Sequence, residues 1–208
     1  FSKYLQKKSW AYIFNKMNMQ KFVTSGVMKD INKFVEQQQN IPFTMKNVYK
    51  MLEIIVGTRE QTYSKALEEA VDNFTKHTHE NRFDVEGWKT NSGYMLNKKF
   101  IVGYMVEMGW HSDRMNLKWG SNMDKIVDIT KVLCNITASN FSDIKLFRDF
   151  FNETNVLTNT WYECGFFEFK CFKKGTMHLK FKDENDWYLL NQAYGKLKGF
   201  SLPEKLKK

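Results

Sequence analysis

The stretch "FFEFKCFKKGTMHLKFKDENDW", residues 166–187, decides most of the fold that this sequence predicts. Apolar and charged side chains alternate on both sides of Gly175, which is the pattern of two half-buried antiparallel strands. A three-residue loop of Lys173, Lys174 and Gly175, with the glycine in the left-handed region, matches apolar positions to apolar positions, whereas a two-residue loop would set apolar against charged at every rung. The predicted apolar pairs are Phe167 with Phe181, Phe169 with Leu179, and Cys171 with Met177.

The opposite face of the predicted hairpin is polar. With the same three-residue loop, Glu168 lies opposite Lys180, and Lys170 lies opposite His178. A histidine could act there as an acid or a base, but the simpler interpretation is a solvated residue on the outer face of a hairpin. We therefore predict that His178 is exposed and has no catalytic role.

Helical periodicity dominates the first part of the chain. Residues 3–17 and 27–38 each carry an apolar stripe, and Thr44 is placed to cap a third helix. That third pattern continues beyond Gly57 as far as residue 74, so it predicts one long helix or two in line, with Gly57 as the weak point. The apolar positions that recur at helical spacing before the glycine are Val48, Met51, Leu52 and Ile55.

The rest of the chain mixes strands and helices. The segment "KFIVGYMVEM", residues 99–108, reads as a buried strand, residues 109–122 read as a loop, and residues 123–136 carry one apolar helical face. Residues 142–153 predict a further helix that begins at a Ser142 or Asp143 cap, and a last helix follows the hairpin. Its inner face carries Trp187, Leu190 and Tyr194.

Together these elements predict an α+β fold: a helix-rich N-terminal part, a strand or small sheet around residues 98–107, and a C-terminal β-hairpin followed by a helix. With 208 residues and 42% hydrophobic content, the chain is long enough for one core but short for two independent domains. We predict a single domain over residues 1–208, helical over about 1–80 and mixed over about 81–208. The chain begins at Phe1, not at a methionine, so we expect a fragment of a longer protein.

Composition narrows the classes of function. The 32 basic and 23 acidic residues give a net charge of +9, which suits a polyanionic partner. The three cysteines form no CxxC pair, so neither a disulfide framework nor a thiolate zinc site is predicted, and a reducing, cytoplasmic location is expected. No run of about 18 apolar residues is present, so no membrane association is expected.

Motifs for catalysis are weak throughout the chain. "NIPF", residues 40–43, is close to the [DN]PP[FY] signature of amino-methyltransferases, but Ile41 replaces the first proline and no glycine-rich loop follows a strand. We interpret it as a helix entry. His77, His79 and Glu80, or His111 with Asp113, could be metal ligands, but such short groupings are common by chance. No catalytic residue, metal or cofactor is predicted.

Two segments are candidates for contacting nucleic acid. In "GWKTNSGYMLNKKF", residues 87–100, two aromatic residues that could stack on bases accompany side chains that could bind phosphate; an ordinary exposed loop is the alternative. The second segment, residues 165–208, contains ten lysines and five acidic residues. The candidate contact residues are Lys89, Thr90, Asn91, Lys98 and Lys99 in the first segment, and Lys170, Lys173, Lys174, His178 and Lys180 in the second.

Several motifs occur in the order found in one known family. They are "KKSWAYIF" in the first helix, "IPFT" at a helix entry, "WKTNSGYMLNKKFIV", "FEFKCFKKGTMHLKF" and a final "LP". On these motifs the chain resembles the bacterial domain-of-unknown-function family 4942 over nearly its whole length. The resemblance implies a setting in prophages and other mobile elements, in which such domains are sometimes attached to an adenine-specific DNA methyltransferase, and it implies helical sequence upstream of Phe1.

Three functions follow as hypotheses. The first is a non-catalytic nucleic-acid-binding or target-recognition module, with DNA as the expected partner, which the basic charge and the mobile-element setting favour. The second is a protein-interaction or assembly module that docks a partner such as a methyltransferase subunit through exposed aromatic side chains. The third is a metal-dependent nuclease, which would need a cleft that gathers acidic side chains with lysine.

Overall fold

The computed structural model describes residues 2–38, 40–75, 95–109, 113–118 and 120–199. Within them the fold is α+β, as predicted. The helices are α1 (Ser2–Lys16), α2 (Ser25–Gln38), α3 (Met45–Gly57), α4 (Arg59–Thr75), α5 (Ser121–Thr137), α6 (Phe147–Glu153) and α7 (Glu184–Lys198), with 3₁₀ turns at Met19–Lys21 and Phe141–Asp143. The strands are β1 (Lys99–Val102), β2 (Val106–Met108), β3 (Met115–Leu117), β4 (Trp161–Cys164), β5 (Phe167–Cys171) and β6 (Met177–Phe181).

The C-terminal hairpin forms the centre of a four-stranded antiparallel sheet with the order β1-β6-β5-β4. Its predicted register is confirmed at every rung, from Phe167 opposite Phe181 to Cys171 opposite Met177. The loop is also as predicted, because Phe172 pairs its backbone with Thr176 and Gly175 has a φ of 83°. A second, two-stranded sheet pairs β2 with β3.

One face of the four-stranded sheet forms the main hydrophobic core. Phe169, at the middle of β5, is fully buried and packs against three phenylalanines of α6. On the same face, at the edge of the sheet formed by β1, Phe100 packs against Phe74 of α4 with ring centroids 5.3 Å apart. The helices α4, α5, α6 and α7 all contribute buried side chains to this cluster. The amphipathic patterns of helices and hairpin therefore meet in one core.

The N-terminal helices add a smaller cluster in which α1 packs on α3. Trp10 is fully buried there, and its Nε1 donates a hydrogen bond to the carbonyl oxygen of Ile41 at 3.1 Å. The predicted cap is confirmed, since the Thr44 side chain accepts a hydrogen bond from the backbone N–H of Asn47. The long helical pattern divides after Gly57 into α3 and α4, at the predicted weak point. Whether the two clusters belong to one folding domain stays a prediction.

Three local predictions were wrong. Residues 99–108 form two strands in different sheets, β1 and β2, because the backbone turns at Tyr104, which has a φ of 55°. The segment predicted as a loop after residue 108 contains β3, whose three residues are too few to show an alternation. Residues Phe141–Asp143 form a short 3₁₀ turn that the Asn140 side chain caps by accepting a hydrogen bond from the N–H of Ser142, and α6 begins only at Phe147.

Among the described residues, no helix combines the length and the apolar character needed to cross a lipid bilayer.

The hairpin loop gives a first testable prediction. Gly175 adopts a left-handed φ of 83°, and a Cβ there would lie 3.2 Å from the carbonyl oxygen of Val106. We expect Gly175→Ala to lower the free energy of unfolding by about 1–2 kcal/mol, measured by urea denaturation. Gly57→Ala is the matched control: nothing lies within 4 Å of its Cβ, and alanine in the last turn of α3 should leave stability equal or slightly higher. A Gly175→Ala protein as stable as the parent would contradict the loop geometry.

Candidate nucleic-acid interface

The four-stranded sheet presents a second face, opposite the core, which we call the polar sheet face. Because side chains alternate along each strand, the register aligns these residues in two rows across the sheet. The first row consists of Lys99, Lys180, Glu168 and Glu163, and the second of Ile101, His178, Lys170 and Trp161. Lysines outnumber glutamates on this face, and the hairpin and the lysine of β1 meet there although they are about eighty residues apart in the chain.

Trp161 is an exposed aromatic side chain at the edge of the polar sheet face. It lies at the start of the edge strand β4 and keeps 40% of its surface exposed. The Nζ atom of Lys180 lies 4.2 Å from the ring centroid and that of Lys170 lies 5.2 Å away. Both distances fall within the range of cation–π interactions, so an accessible indole and two ammonium groups form one cluster.

Lys180 of this cluster and the neighbouring Lys182 each form an ion pair with a glutamate. Lys180 forms an ion pair with Glu168, with Nζ and Oε2 2.5 Å apart. Lys182, which follows β6, pairs with Glu163 at 2.8 Å. Ion pairs at a protein surface contribute little net free energy, so a phosphate could compete with either glutamate for its lysine. The arrangement can therefore bind an anion without a large loss of internal stability.

His178 is buried, which corrects the prediction of a solvated residue. Only 7% of its surface is exposed, because it lies on a central strand and its ring packs 4.3 Å from that of Phe172, centroid to centroid. Burial, and then the nearby positive charge of Lys170, lower the pKa of its imidazole to about 4. The side chain is neutral at pH 7, so any contact with phosphate would be a neutral hydrogen bond rather than an ion pair.

The remaining candidates on the hairpin and β1 lie around this face. Lys173 and Lys174 are at the tip of the loop, where Lys173 forms an ion pair with Asp113 at 3.2 Å. Lys98 precedes β1 and pairs with Glu184 at the start of α7, at 3.5 Å. The structure thus brings Lys99, Lys170, Lys180 and His178 together, and places the other three lysines at the periphery.

Several predicted positions lie outside the described residues. They are Lys89, Thr90 and Asn91 of the first candidate segment, together with His77, His79, Glu80 and His111. In the part of the chain that the structure does describe, no three His, Cys, Asp or Glu side chains are grouped as a metal site would require.

The cysteines are poor candidates for covalent chemistry. Cys134, Cys164 and Cys171 are all buried. Burial raises the pKa of Cys134 to about 11 and those of Cys164 and Cys171 to about 12. Since the thiolate is the nucleophilic form, these side chains would be almost entirely unreactive thiols at neutral pH.

Sequence reasoning missed Trp161 and the whole of β4. The signal was the segment "WYEC", residues 161–164, in which Tyr162 and Cys164 alternate with Trp161 and Glu163 before a glycine. Gly165 has a φ of 54° and closes a tight turn into β5, where Cys164 pairs with Phe167. An alternation of four residues is short, and its apolar first member faces away from the core, so the pattern did not stand out.

Comparison with known families gives one match. The family model described as Domain of unknown function (DUF4942) matches residues 2–199, which is nearly the whole chain. No curated protein and no solved structure matched.

Proposed function

Because the chain belongs to the DUF4942 family, whose description specifies no activity, we propose its function from the polar sheet face: it is a non-catalytic module that binds single-stranded nucleic acid. The observation that carries the proposal is the exposed indole of Trp161 with Lys170 and Lys180 beside it. Proteins that bind single strands combine aromatic side chains, on which bases stack, with lysines or arginines that follow the phosphate backbone.

The geometry supports a path for the strand across the sheet. The second row of the face leads from Trp161 to Lys170, and the first row places Lys180 and Lys99 beside it. A base stacked on Trp161 would leave its neighbouring phosphates within reach of these lysines. An unpaired base is needed for such stacking, so we expect a preference for single strands over duplex.

The proposal also includes a biological setting for this module. The sequence motifs imply an origin in prophages or other mobile elements, and an association with a DNA methyltransferase. In that setting a single-strand binder could serve target recognition on DNA, which we therefore take as the natural nucleic acid. RNA of the same sequence is the comparison that tests this choice.

Fluorescence anisotropy with labelled single-stranded DNA, duplex DNA and RNA over a salt series tests the proposal. We expect binding to single-stranded DNA that weakens steeply with salt. Trp161→Ala should weaken it by about 10- to 100-fold, the effect of losing one stacked base. Lys170→Gln should reduce the slope of log K against log salt by about 0.7, the contribution of one phosphate contact on a single strand.

The controls separate local from general effects. Lys33→Gln removes an exposed lysine from α2 and should change neither affinity nor slope by a comparable amount. Circular dichroism and thermal denaturation establish that the Trp161→Ala protein is folded. If no nucleic acid binds at low salt, or if Trp161→Ala binds as the parent does, the proposal is wrong.

Exposed apolar side chains favour a second candidate function, a protein-interaction module. On α3, Met45, Tyr49 and Val56 are 68%, 64% and 70% exposed at helical spacing, and Tyr12 of α1 is also exposed. Such a stripe could dock a partner such as a methyltransferase subunit. The same titrations separate the two functions, because a largely apolar interface would give no binding to nucleic acid and little dependence on salt.

A further inference from the structure

We propose that the cleft between β3 and α6 binds a phosphomonoester, the phosphate group of a ligand about the size of a mononucleotide. The cleft has a volume of about 300 Å³ and is lined by Arg114, Asn116, Leu117, Arg148, Phe151 and Asn152. This volume is at the lower end of the range for small-molecule sites. The cleft belongs neither to the polar sheet face nor to the function proposed above.

Local structure brings an arginine and an asparagine to the cleft from each side. Arg114 immediately precedes β3 and Asn116 is its middle residue, so the two lie on the same side of the extended chain, while Met115 between them is buried in the core. Arg148 and Asn152 are four residues apart on α6, so they lie one turn above each other on one helical face. The four side chains therefore converge for reasons of register and helical spacing.

The two walls are fixed to each other by the backbone. The N–H of Met115 donates a hydrogen bond to the carbonyl oxygen of Val156, just after α6, at 2.8 Å. Arg114 forms a β-bridge with Leu157, and its carbonyl oxygen accepts a hydrogen bond from the N–H of Gly109 at 2.8 Å. Phe151, which lines the cleft, is buried and its ring stacks on that of Phe169. The cleft is thus largely formed before any ligand enters.

The charges of the lining favour a dianion. A guanidinium can donate two parallel hydrogen bonds to one oxyanion, and two arginines match the charge that a phosphomonoester carries at pH 7 better than the single charge of a carboxylate. Of the nearby carboxylates, Asp113 pairs with Lys173 and Glu153 with Lys145, and Asp149, next to Arg148, is not among the residues that line the cleft. Glu107 lies opposite Asn116 in the ladder but does not line the cleft. Arg148 already interacts within the chain, so the phosphate would share or replace that contact.

The rest of the lining suits the remainder of such a ligand. The side chains of Asn116 and Asn152 each offer two N–H donors and one acceptor, which match hydroxyl groups of a sugar or the edge of a base. Leu117 and Phe151 supply an apolar wall. Two sources share this chemistry: a free nucleotide and the 5′-terminal phosphate of a nucleic-acid strand.

Isothermal titration calorimetry of the whole chain tests the site with three probes: inorganic phosphate, adenosine 5′-monophosphate, and adenosine, which lacks the phosphate. We expect saturable binding of the monophosphate and none of adenosine. Arg114→Gln and Arg148→Gln should each weaken the monophosphate by about tenfold or more, the effect of losing a charged hydrogen-bonding pair. Arg148→Lys should recover part of the loss, because it keeps the charge without the fork.

A second arm compares a single-stranded oligonucleotide with and without a 5′-phosphate. If the cleft holds a strand end, the phosphorylated form binds more tightly, and the difference disappears in Arg148→Gln. Arg59→Gln on α4 is the matched control and should change none of these affinities. Failure of nucleic-acid binding at Trp161 would leave the monophosphate arm intact, so the two proposals fail separately. The proposal is overturned if no phosphate-bearing probe binds, or if binding is the same in both arginine variants.

Discussion

Replacing Phe169 with alanine is expected to lower the free energy of unfolding by about 3–5 kcal/mol, the typical effect of deleting a fully buried aromatic ring. Phe169 has no exposed surface and lies at the middle of the central hairpin. Its ring centroid is 5.0–5.7 Å from those of four other aromatic side chains, Phe147, Phe150, Phe151 and Tyr162. Removing it would open a cavity at the point where the sheet meets α6.

Urea denaturation followed by circular dichroism measures this change. The loss is a large part of the total stability of about 5–15 kcal/mol that most domains have, so the alanine variant could be unfolded. Phe169→Leu keeps most of the volume and should remain folded with a loss of smaller size. Phe22→Ala is the control, because Phe22 is 53% exposed and its replacement should change stability by less than about 1 kcal/mol. Equal effects at the two positions would contradict the packing described here.

The hairpin that contains Phe169 shows how much of the fold can be predicted from the sequence. Alternation around Gly175 fixes which side chains share a face and therefore the whole register of β5 and β6, because any shift by one residue would bury charges. That local rule also places Lys170, His178 and Lys180 together. It does not determine how much of each is exposed, since this depends on β1 and β4, which are separate in sequence.

The features that the sequence analysis missed or predicted wrongly depend on contacts between segments that are distant in the chain. His178 is buried because β1 lies on one side of it and Phe172, a residue of its own hairpin, folds its ring over it. Trp161 reaches the polar face only through the pairing of β4 with β5. Arg114 and Arg148 are far apart in the chain, so no spacing rule could have placed them at one cleft.

Acid is expected to destabilise the protein through His178. Its pKa is about 4 in the folded chain and 6.5 when exposed, so between these values the unfolded chain binds a proton that the native state does not. This group therefore does not lower the free energy of unfolding above about pH 6.5. As the pH falls from there towards 4, it lowers that free energy by about 3 kcal/mol in all. Urea denaturation at a series of pH values measures the loss.

Other groups also change the free energy of unfolding at acidic pH, so the test compares the pH dependence of the parent with that of histidine variants. Burial raises the pKa of Asp128, which has the opposite effect: its native form takes up a proton first and gains stability as the pH falls towards 3.8. His178→Gln should remove the loss assigned to His178 and keep the remaining pH dependence. A protein with the other three histidines, His77, His79 and His111, replaced by glutamine should retain that loss. If His178→Gln loses as much stability as the parent between pH 7 and 4, the buried, neutral imidazole is the wrong description.

The same pKa constrains binding at the polar sheet face. An exposed histidine beside Lys170 would become charged near pH 6.5 and would strengthen the binding of a polyanion as the pH falls from 8 to 6. His178 stays neutral over this range, so the affinity for single-stranded DNA should be nearly constant, with the lysines supplying the charge in the parent and in His178→Gln alike. A rise in affinity at pH 6 that disappears in His178→Gln would mean that the bound strand raises the pKa of the imidazole, either by exposing it to solvent or by placing a phosphate beside it and Lys170.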